Sequence, residues 1–164
     1  MSTSAQTDPR AQAAPRAQID PRGQRFAATV TTVVFAVALV ASPSALTVVL
    51  LALQLVVFAI GAVSGPARTP YAWLFRRFVR PRLGAPTELE DAAPPRFAQG
   101  VGLGFAVVAL VGYAAGLPLL GAIAAGMALA AAFLNAAFSF CLGCEMYLLI
   151  TRARSRTAGA LATH

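Results

Sequence analysis

The sequence predicts an all-α, polytopic membrane protein with four transmembrane helices arranged as two helical hairpins and a short interfacial amphipathic helix between them. The first reason is composition, since 58% of the 164 residues are apolar, 12% are charged and the mean hydropathy is +0.70. A soluble domain is about half apolar and about a quarter charged. The second reason is a series of four uncharged apolar runs. The third is that all 13 basic residues are arginines that lie outside those runs.

Four apolar runs are long enough for transmembrane helices, because about 20 residues at about 1.5 Å each cross the hydrocarbon. The predicted spans are residues 26–42, 45–63, 97–115 and 118–140. Before them, residues 1–18 are rich in Ala, Gln, Pro, Ser and Thr and have no apolar face, so we expect a disordered tail. Residues 19–152 form the transmembrane domain, and residues 153–164 a flexible tail. A cleaved signal peptide is disfavoured for the first run, because a long segment precedes it and a second apolar run follows at once.

The distribution of charge predicts the orientation. The hairpin turns at 42–44 and 116–118 carry no charge, whereas four spans place all arginine-bearing segments on one side of the membrane. These arginines are Arg10, Arg16, Arg22, Arg25, Arg68, Arg76, Arg77, Arg80, Arg82, Arg96, Arg152, Arg154 and Arg156. The positive-inside rule makes that side the cytoplasm, so we expect a multi-pass protein of the plasma (inner) membrane with both termini cytoplasmic. The net charge of +7 then belongs to membrane-flanking segments and indicates no nucleic-acid partner.

The central segment predicts an interfacial helix over residues 70–80. Thr69 can cap it, Pro70 is a favoured first residue, and Pro81 should end it. The apolar residues with helical spacing are Tyr71, Leu74, Phe75 and Phe78. The residues that we expect to contact a lipid bilayer with anionic headgroups are Arg76, Arg77, Arg80, Arg82 and Trp73.

Small and amide residues within the spans predict contacts between helices. Four glycines fall along one helix face, where another helix can approach closely, as in the GxxxG device. They are Gly100, Gly104, Gly112 and Gly116. The approaching helix is either internal or part of a second copy, so a homo-oligomer is one outcome. Gln54 and Asn135 are expected to bridge helices by hydrogen bonding, with a place beside a transport path or a quinone as the alternative.

A short internal repeat opens each hairpin. The string PRGQRFA at 21–27 precedes the first hairpin, and PPRFA at 94–98 precedes the second. Both halves start on the same side, so they would be parallel repeats of the kind found in some transporters. Independent use of arginine and an aromatic residue at the interface explains the match equally well.

Cys141 and Cys144, the only two cysteines, are the candidate redox residues. Their CxxC spacing allows a disulfide, and a cysteine near a helix N-terminus or near arginines becomes reactive. Two thiols fall short of the four ligands of a zinc or iron–sulfur site, so we expect no metal and no cofactor. The stretch 119–150 is too long for one span, so the helix either emerges into the headgroups or breaks near Gly143. The competing interpretation makes the two cysteines small helix-packing residues.

Several strings of the chain also resemble a known family. They are DPR at 20–22, PY at 70–71, RPRL at 80–83, ELED at 88–91, FLNA at 133–136 and FCLGCEMY at 140–147. Between about residues 20 and 150, the chain resembles the bacterial membrane family named domain of unknown function 4395. The resemblance implies a bacterial plasma-membrane protein with no assigned activity. It also implies thiol chemistry with a cytosolic thioredoxin-like or sulfurtransferase protein.

Three functions therefore compete. The first is thiol–disulfide or persulfide exchange through a cytoplasm-facing pair, Cys141 and Cys144. The second is a non-enzymatic membrane subunit or scaffold, and the third is a small permease for a sulfur compound. Quinone-linked disulfide generators are also small four-helix proteins, but they need an outward-facing pair and usually a second pair. A single inward-facing pair disfavours that version unless the topology is inverted.

Overall fold

The computed structural model describes residues 17–86 and 88–161, with side chains as far as residue 156. The helices in this part of the chain are α1 (Pro21–Val40), α2 (Ala45–Ser64), α3 (Pro70–Leu74), α4 (Ala93–Ala114), α5 (Pro118–Phe138) and α6 (Leu142–Leu161). The shorter elements are strands β1 (Gln18–Ile19) and β2 (Glu90–Asp91), 3-10 turns at Pro66–Arg68 and Arg80–Arg82, and a π turn at Phe75–Val79. Most of the predicted tail at residues 1–18, and the last three residues of the chain, lie outside the described residues.

Four helices, α1, α2, α4 and α5, are long and apolar enough to cross a membrane, which confirms the fold class. Helix α1 begins ahead of the predicted start because the Asp20 carboxylate accepts a hydrogen bond from the Arg22 backbone N–H at 3.0 Å. Ser44 caps α2 in the same way, through the N–H of Thr47 at 3.3 Å. The polar cap, rather than the edge of the apolar run, therefore sets where α1 starts, whereas α2 starts at the predicted residue 45.

The four spanning helices form a ring in which each contacts two neighbours. Helices α1 and α2 form one hairpin and α4 and α5 the other, while α2 packs against α4 and α1 against α5. At the centre Phe35 stacks on Phe58, with ring centroids 6.2 Å apart. Buried alanines complete the core and let α4 and α5 approach closely; they are Ala106, Ala109, Ala124, Ala125 and Ala128.

Only part of the predicted glycine face of α4 packs against another helix within the described chain. Gly100 and Gly104 would carry a Cβ into open space, and Gly116 adopts a φ of +73° in the turn before α5. Of the four, Gly112 makes the close contact, since its Cβ would lie 2.7 Å from the Gly121 backbone nitrogen. The contact face of α4 follows the 3.6-residue repeat through its buried alanines, which puts the first two glycines on a neighbouring face. A second copy on that face stays a prediction.

The surface segment between the hairpins is helical but is not one regular α-helix. Helix α3 passes into the π turn, which widens the helix and rotates the residues that follow. Phe75 is therefore 4% exposed, whereas Phe78, which was predicted on the same face, is 49% exposed. Pro81 does not end the segment, because it lies in the first turn of the 3-10 helix that runs to Arg82, where a proline fits.

The last apolar stretch breaks into two helices just before the cysteines. Ser139 follows α5 in a left-handed conformation with a φ of 57°. Its N–H and that of the next residue donate to the carbonyls of Asn135 and Leu134, which closes the end of α5. Helix α6 then starts, so the chain follows the second predicted alternative, with the break ahead of Gly143 rather than at it. Helix α5 ends at Phe138, two residues before residue 140, where the predicted span ended.

Helix α6 packs across the first turns of α4. A Cβ at Gly143 would lie 2.6 Å from the Ala98 Cβ, and the Tyr147 ring lies 5.8 Å from that of Phe97. The helix continues to Leu161, past the boundary at residue 153 where the sequence predicted a flexible tail. The reason is propensity, because residues 152–161 include three arginines and three alanines, which favour helix.

A small β-ribbon ties the start of α1 to the start of α4. Strand β1 pairs antiparallel with β2, with Gln18 opposite Asp91 and Ile19 opposite Glu90. The Ala92 backbone N–H also donates to the Ala17 carbonyl at 2.8 Å. The sequence did not predict this ribbon, because two residues per strand are too short to leave a periodic pattern.

The two halves of the described chain have the same order of elements, namely two long helices followed by a further helical segment. Helices α1, α2 and α3 correspond in order to α4, α5 and α6, and the last helical segment of each half packs against the first. In the first half Phe26 contacts Phe75, and in the second half Phe97 contacts Tyr147, both with ring centroids 5.8 Å apart. The repeated RFA string therefore marks equivalent positions, as parallel repeats require.

The arginines of the RFA string also play equivalent roles. Arg25 at the start of α1 donates to the Ala136 carbonyl at 3.5 Å, near the end of α5. Arg96 at the start of α4 donates to the carbonyls of Ala62 and Val63 at 2.8 and 2.7 Å, at the end of α2. A cation is favourable there because the last carbonyls of a helix lack partners within the helix. Each half thus caps a long helix of the other half.

Candidate redox site

The cysteine pair lies at the N-terminus of α6. Cys141 directly precedes the helix, and its Sγ accepts a hydrogen bond from the backbone N–H of Cys144 at 3.3 Å. The two Cα atoms are 5.2 Å apart and the sulfur atoms are joined as a disulfide. Both residues are partly exposed. The structure therefore brings together the two residues that the sequence singled out.

The N-terminus of helix α6 places a partial positive charge beside the pair. The first N–H groups of a helix lack partners within the helix, and its N-terminal end carries a partial positive charge. Helix α6 extends over 20 residues, and the acidic residue of its first turn, Glu145, is also favourably placed. Negative charge on a sulfur at this position is stabilised, which is what makes one thiol of a CxxC pair a nucleophile.

A cavity of about 890 Å³ lies beside the pair, between the two halves of the molecule. Residues of α1, α2, α4, α5 and α6 line it, together with both cysteines. The lining is mainly apolar with a few polar groups, which is typical of a small-molecule site. Transporters built from repeats also place their binding sites at the interface between the repeats.

Thr69 and Cys141 are equivalent capping residues in the two halves. The Oγ1 of Thr69 accepts a hydrogen bond from the N–H of Ala72 at 3.2 Å, just as the Sγ of Cys141 accepts one from Cys144. Both capping residues line the cavity. An N-cap is ordinarily an oxygen-bearing residue, so the second half carries a sulfur where the first half carries a hydroxyl. The second half alone therefore has thiol chemistry at this position.

Gln54, one of the two amides singled out in the spans, joins three helical segments. It is fully buried, and its Nε2 donates to the Thr31 hydroxyl at 3.3 Å. Its Oε1 accepts from the Tyr71 hydroxyl at 2.9 Å. Burial raises the pKa of Tyr71, because the phenolate would lose its hydration, so the hydroxyl stays protonated and donates. The bridge ties α3 to the interior of α2 at one wall of the cavity.

Asn135 and Gln99 are two amide residues of the cavity wall. Both line the cavity, and Asn135 lies one turn before Ser139. The Asn135 side chain makes no hydrogen bond to any residue that the structure describes. The Gln99 Oε1 is buried against Gly61, also without a partner among the described residues. Gln99 was not among the residues predicted from the sequence, although its position directly after the repeated RFA string was an available signal.

The arginines at the cavity are not those of the surface segment. Arg22 and Arg25 line it, and Arg22 also pairs with the Asp20 carboxylate at 3.2 Å. The residues assigned to the membrane surface are all exposed and none lines the cavity; they are Arg76, Arg77, Arg80, Arg82 and Trp73. Their contact with anionic headgroups stays a prediction.

These features define a class, namely a membrane protein of two helical hairpins with a CxxC pair at a helix N-terminus beside an internal cavity. Residues 19–152 match the family described as Domain of unknown function (DUF4395), and the chain belongs to this family. The match confirms the resemblance seen in the sequence. No curated protein and no solved structure matches the chain. The function must therefore be argued from the site itself.

Proposed function

We propose that this bacterial protein carries out thiol–disulfide exchange through Cys141 and Cys144 at the plasma (inner) membrane. The observation that carries the proposal is the position of the pair at the N-terminus of α6, on the wall of the cavity. Cysteines that served only as small packing residues would need neither partial exposure nor a capping hydrogen bond to sulfur.

Cys141 is the nucleophile in this reaction. In the reduced pair its thiolate receives the Cys144 N–H and the positive end of α6. The thiolate attacks a partner disulfide, the partner S–S bond breaks, and one partner sulfur leaves as a thiolate. Cys144 then loses its proton and attacks the Cys141 sulfur, which re-forms the intramolecular disulfide and releases the second partner sulfur. Two electrons pass to the partner, and the reverse sequence oxidises a partner dithiol.

The proposal includes a cytoplasmic orientation and a cytosolic partner of thioredoxin-like or sulfurtransferase type. The orientation is supported by the arginines at the starts of α1 and α4, which lie at the same end of the bundle as the cysteines. The cytosol keeps thiols reduced, so a disulfide-forming pair on that side is transient and catalytic rather than structural.

Trapping of a mixed disulfide tests the roles of the two cysteines. In Cys144→Ser the remaining Cys141 can attack but nothing releases the product, so the purified variant in nanodiscs should accumulate an adduct with oxidised glutathione. The matched control, Cys141→Ser, should accumulate about tenfold less, because Cys144 has neither the capping position nor its hydrogen bond. Mass spectrometry of the intact protein measures both adducts.

Two results would count against this assignment. Equal trapping by both variants would contradict Cys141 as the nucleophile, and wild-type protein that neither accepts nor donates a disulfide would contradict the function. A mass gain of one sulfur atom from a persulfide donor, without disulfide exchange, would identify sulfur transfer at the same residue instead.

A further inference from the structure

We propose that the cavity and an adjoining groove on the lipid-facing surface bind a quinone, which re-oxidises the Cys141–Cys144 pair. The inference rests on the proposed thiol exchange and names its electron acceptor. It is carried by the cavity beside the sulfur atoms, by three residues that line both that cavity and the groove, and by the Asn135 amide in the cavity wall.

The cavity suits an aromatic headgroup. Its volume of about 890 Å³ lies within the roughly 300–1,000 Å³ of small-molecule sites. Phe58, Phe105 and Met127 line its apolar part, where a flat ring can pack. Asn135 lines it on the side of the cysteines, and a side-chain amide can donate a hydrogen bond to a quinone carbonyl.

The groove suits an apolar tail. It has a volume of about 390 Å³ and lies between α4 and α5. It shares Val101, Phe105 and Met127 with the cavity, so the two spaces border the same three side chains. The other residues that line it are apolar or glycine, and Gly104 leaves it open, since a Cβ there would meet no atom within 4 Å.

A quinone has the shape that the two spaces share, a polar ring with a long apolar tail. A water-soluble ligand would gain little from the groove, because its lining is apolar and lies on two helices that are apolar enough to cross a membrane. A phospholipid could fill the groove, but it cannot accept electrons from a dithiol. The redox pair beside the cavity therefore favours the quinone over other molecules of the bilayer.

The redox step is balanced between the pair and the quinone. Both S–H bonds of the reduced pair break, the S–S bond forms, and two electrons and two protons convert the two quinone carbonyls into hydroxyls. Electrons thus pass from a partner dithiol through the pair to the quinone. A second cysteine pair is not required for this electron transfer, because the partner exchanges directly with Cys141 and Cys144. An outward-facing pair is not required either, because quinones diffuse within the bilayer and reach sites at both faces of the membrane.

Quinone-dependent re-oxidation in nanodiscs tests the proposal. The full-length protein is reduced, freed of reductant and mixed anaerobically with decyl-ubiquinone or with tail-free ubiquinone-0. Loss of thiols is measured by maleimide gel shift, and quinol formation by absorbance. We expect one quinol for each disulfide formed, and faster re-oxidation by decyl-ubiquinone than by the tail-free quinone.

Two glycine variants separate the groove from the rest of the α4 surface. Gly104→Leu fills the groove and should slow re-oxidation by subsaturating decyl-ubiquinone about tenfold, which corresponds to about 1.4 kcal/mol of lost contact. Its effect on ubiquinone-0 should be smaller. Gly100→Leu, one turn earlier and outside the groove, is the matched control and should react at the wild-type rate.

Three results would overturn the proposal. Equal slowing by the two variants would indicate a shared surface, such as a contact with a second copy, rather than a groove for a tail. Wild-type protein that is not re-oxidised by either quinone would exclude a quinone as the electron acceptor. A phospholipid that co-purifies in the groove, while decyl-ubiquinone has no effect, would exclude it as well. Glutathione trapping by Cys144→Ser in the same preparation shows separately whether thiol exchange itself survives.

Discussion

At the scale of single residues, the buried bridge at Gln54 holds one wall of the cavity in place. Both polar atoms of its side chain are satisfied, one by Thr31 and the other by Tyr71. Within a membrane no water replaces a lost hydrogen-bond partner, so an amide there is costly to leave unpaired. The amide of Gln54 on α2 and the hydroxyl donor of Tyr71 on α3 therefore depend on each other.

Tyr71→Phe should lower the free energy of unfolding by about 1–2 kcal/mol, because the Gln54 Oε1 loses its donor. Thermal unfolding in detergent measures the change. The matched control is Tyr147→Phe, since that hydroxyl makes no hydrogen bond among the described residues while its ring keeps the contact with Phe97. Equal losses in the two variants would contradict the bridge.

Tyr71 also gives the stability a dependence on alkaline pH. Burial raises its pKa above the usual value of about 10, so folding favours the neutral phenol. The stabilisation is complete below the pKa of the unfolded chain and is lost as the pH rises through the higher pKa of the folded protein. Wild-type stability should therefore fall above about pH 10, and it should fall less in Tyr71→Phe.

At the scale of elements, the contact between α6 and α4 positions the cysteine pair. Gly143 lies two residues after Cys141, and its Cβ would meet the Ala98 Cβ at 2.6 Å and Cα at 2.7 Å. No side chain larger than hydrogen fits there without moving one helix from the other. The pair thus owes its place at the cavity wall to a glycine in its own CxxC string.

Gly143→Leu should therefore displace α6, at a cost of about 1–3 kcal/mol. We expect faster tryptic cleavage at the arginines of α6 and slower disulfide exchange, with the four spans intact. Gly126→Leu on α5 is the matched control, because a Cβ at Gly126 meets open space. Unchanged cleavage and exchange in Gly143→Leu would show that the contact does not position the pair.

The elements also show how far sequence patterns reach. The four spans and the CxxC pair could be predicted because hydropathy and spacing are local properties. The sequence could not distinguish a break at Ser139 from a continuous helix, since the apolar character continues beyond this residue. The left-handed conformation of Ser139 depends on the packing of α6 against α4, which is not a local property. The exposure of Phe78 was equally hidden, because the π turn shifts the register without any change in the apolar pattern.

At the scale of the whole molecule, the two halves of the described chain enclose the cavity beside the redox pair. The RFA string hinted at the repeat, but neither the string nor the glycine spacing shows that α1 packs against α5 and α2 against α4. That arrangement brings Gln99 and Asn135 to one cavity and leaves Gly100 and Gly104 facing outward. The packing of the helices, and not the local sequence pattern, therefore determines that Asn135 lines the cavity and that Gly100 and Gly104 do not.

A redox titration of Cys141 and Cys144 in inverted membrane vesicles tests the proposed exchange most directly. The vesicles are equilibrated in thiol–disulfide buffers, and free thiols are read by gel shift with a membrane-impermeant maleimide. Both thiols should appear together in one reversible two-electron transition between about −300 and −120 mV, the range of catalytic thiol couples. They should stay unlabelled in intact cells. A pair that remains oxidised below this range, never forms a disulfide, or is labelled only in intact cells would contradict a cytoplasmic thiol-exchange site.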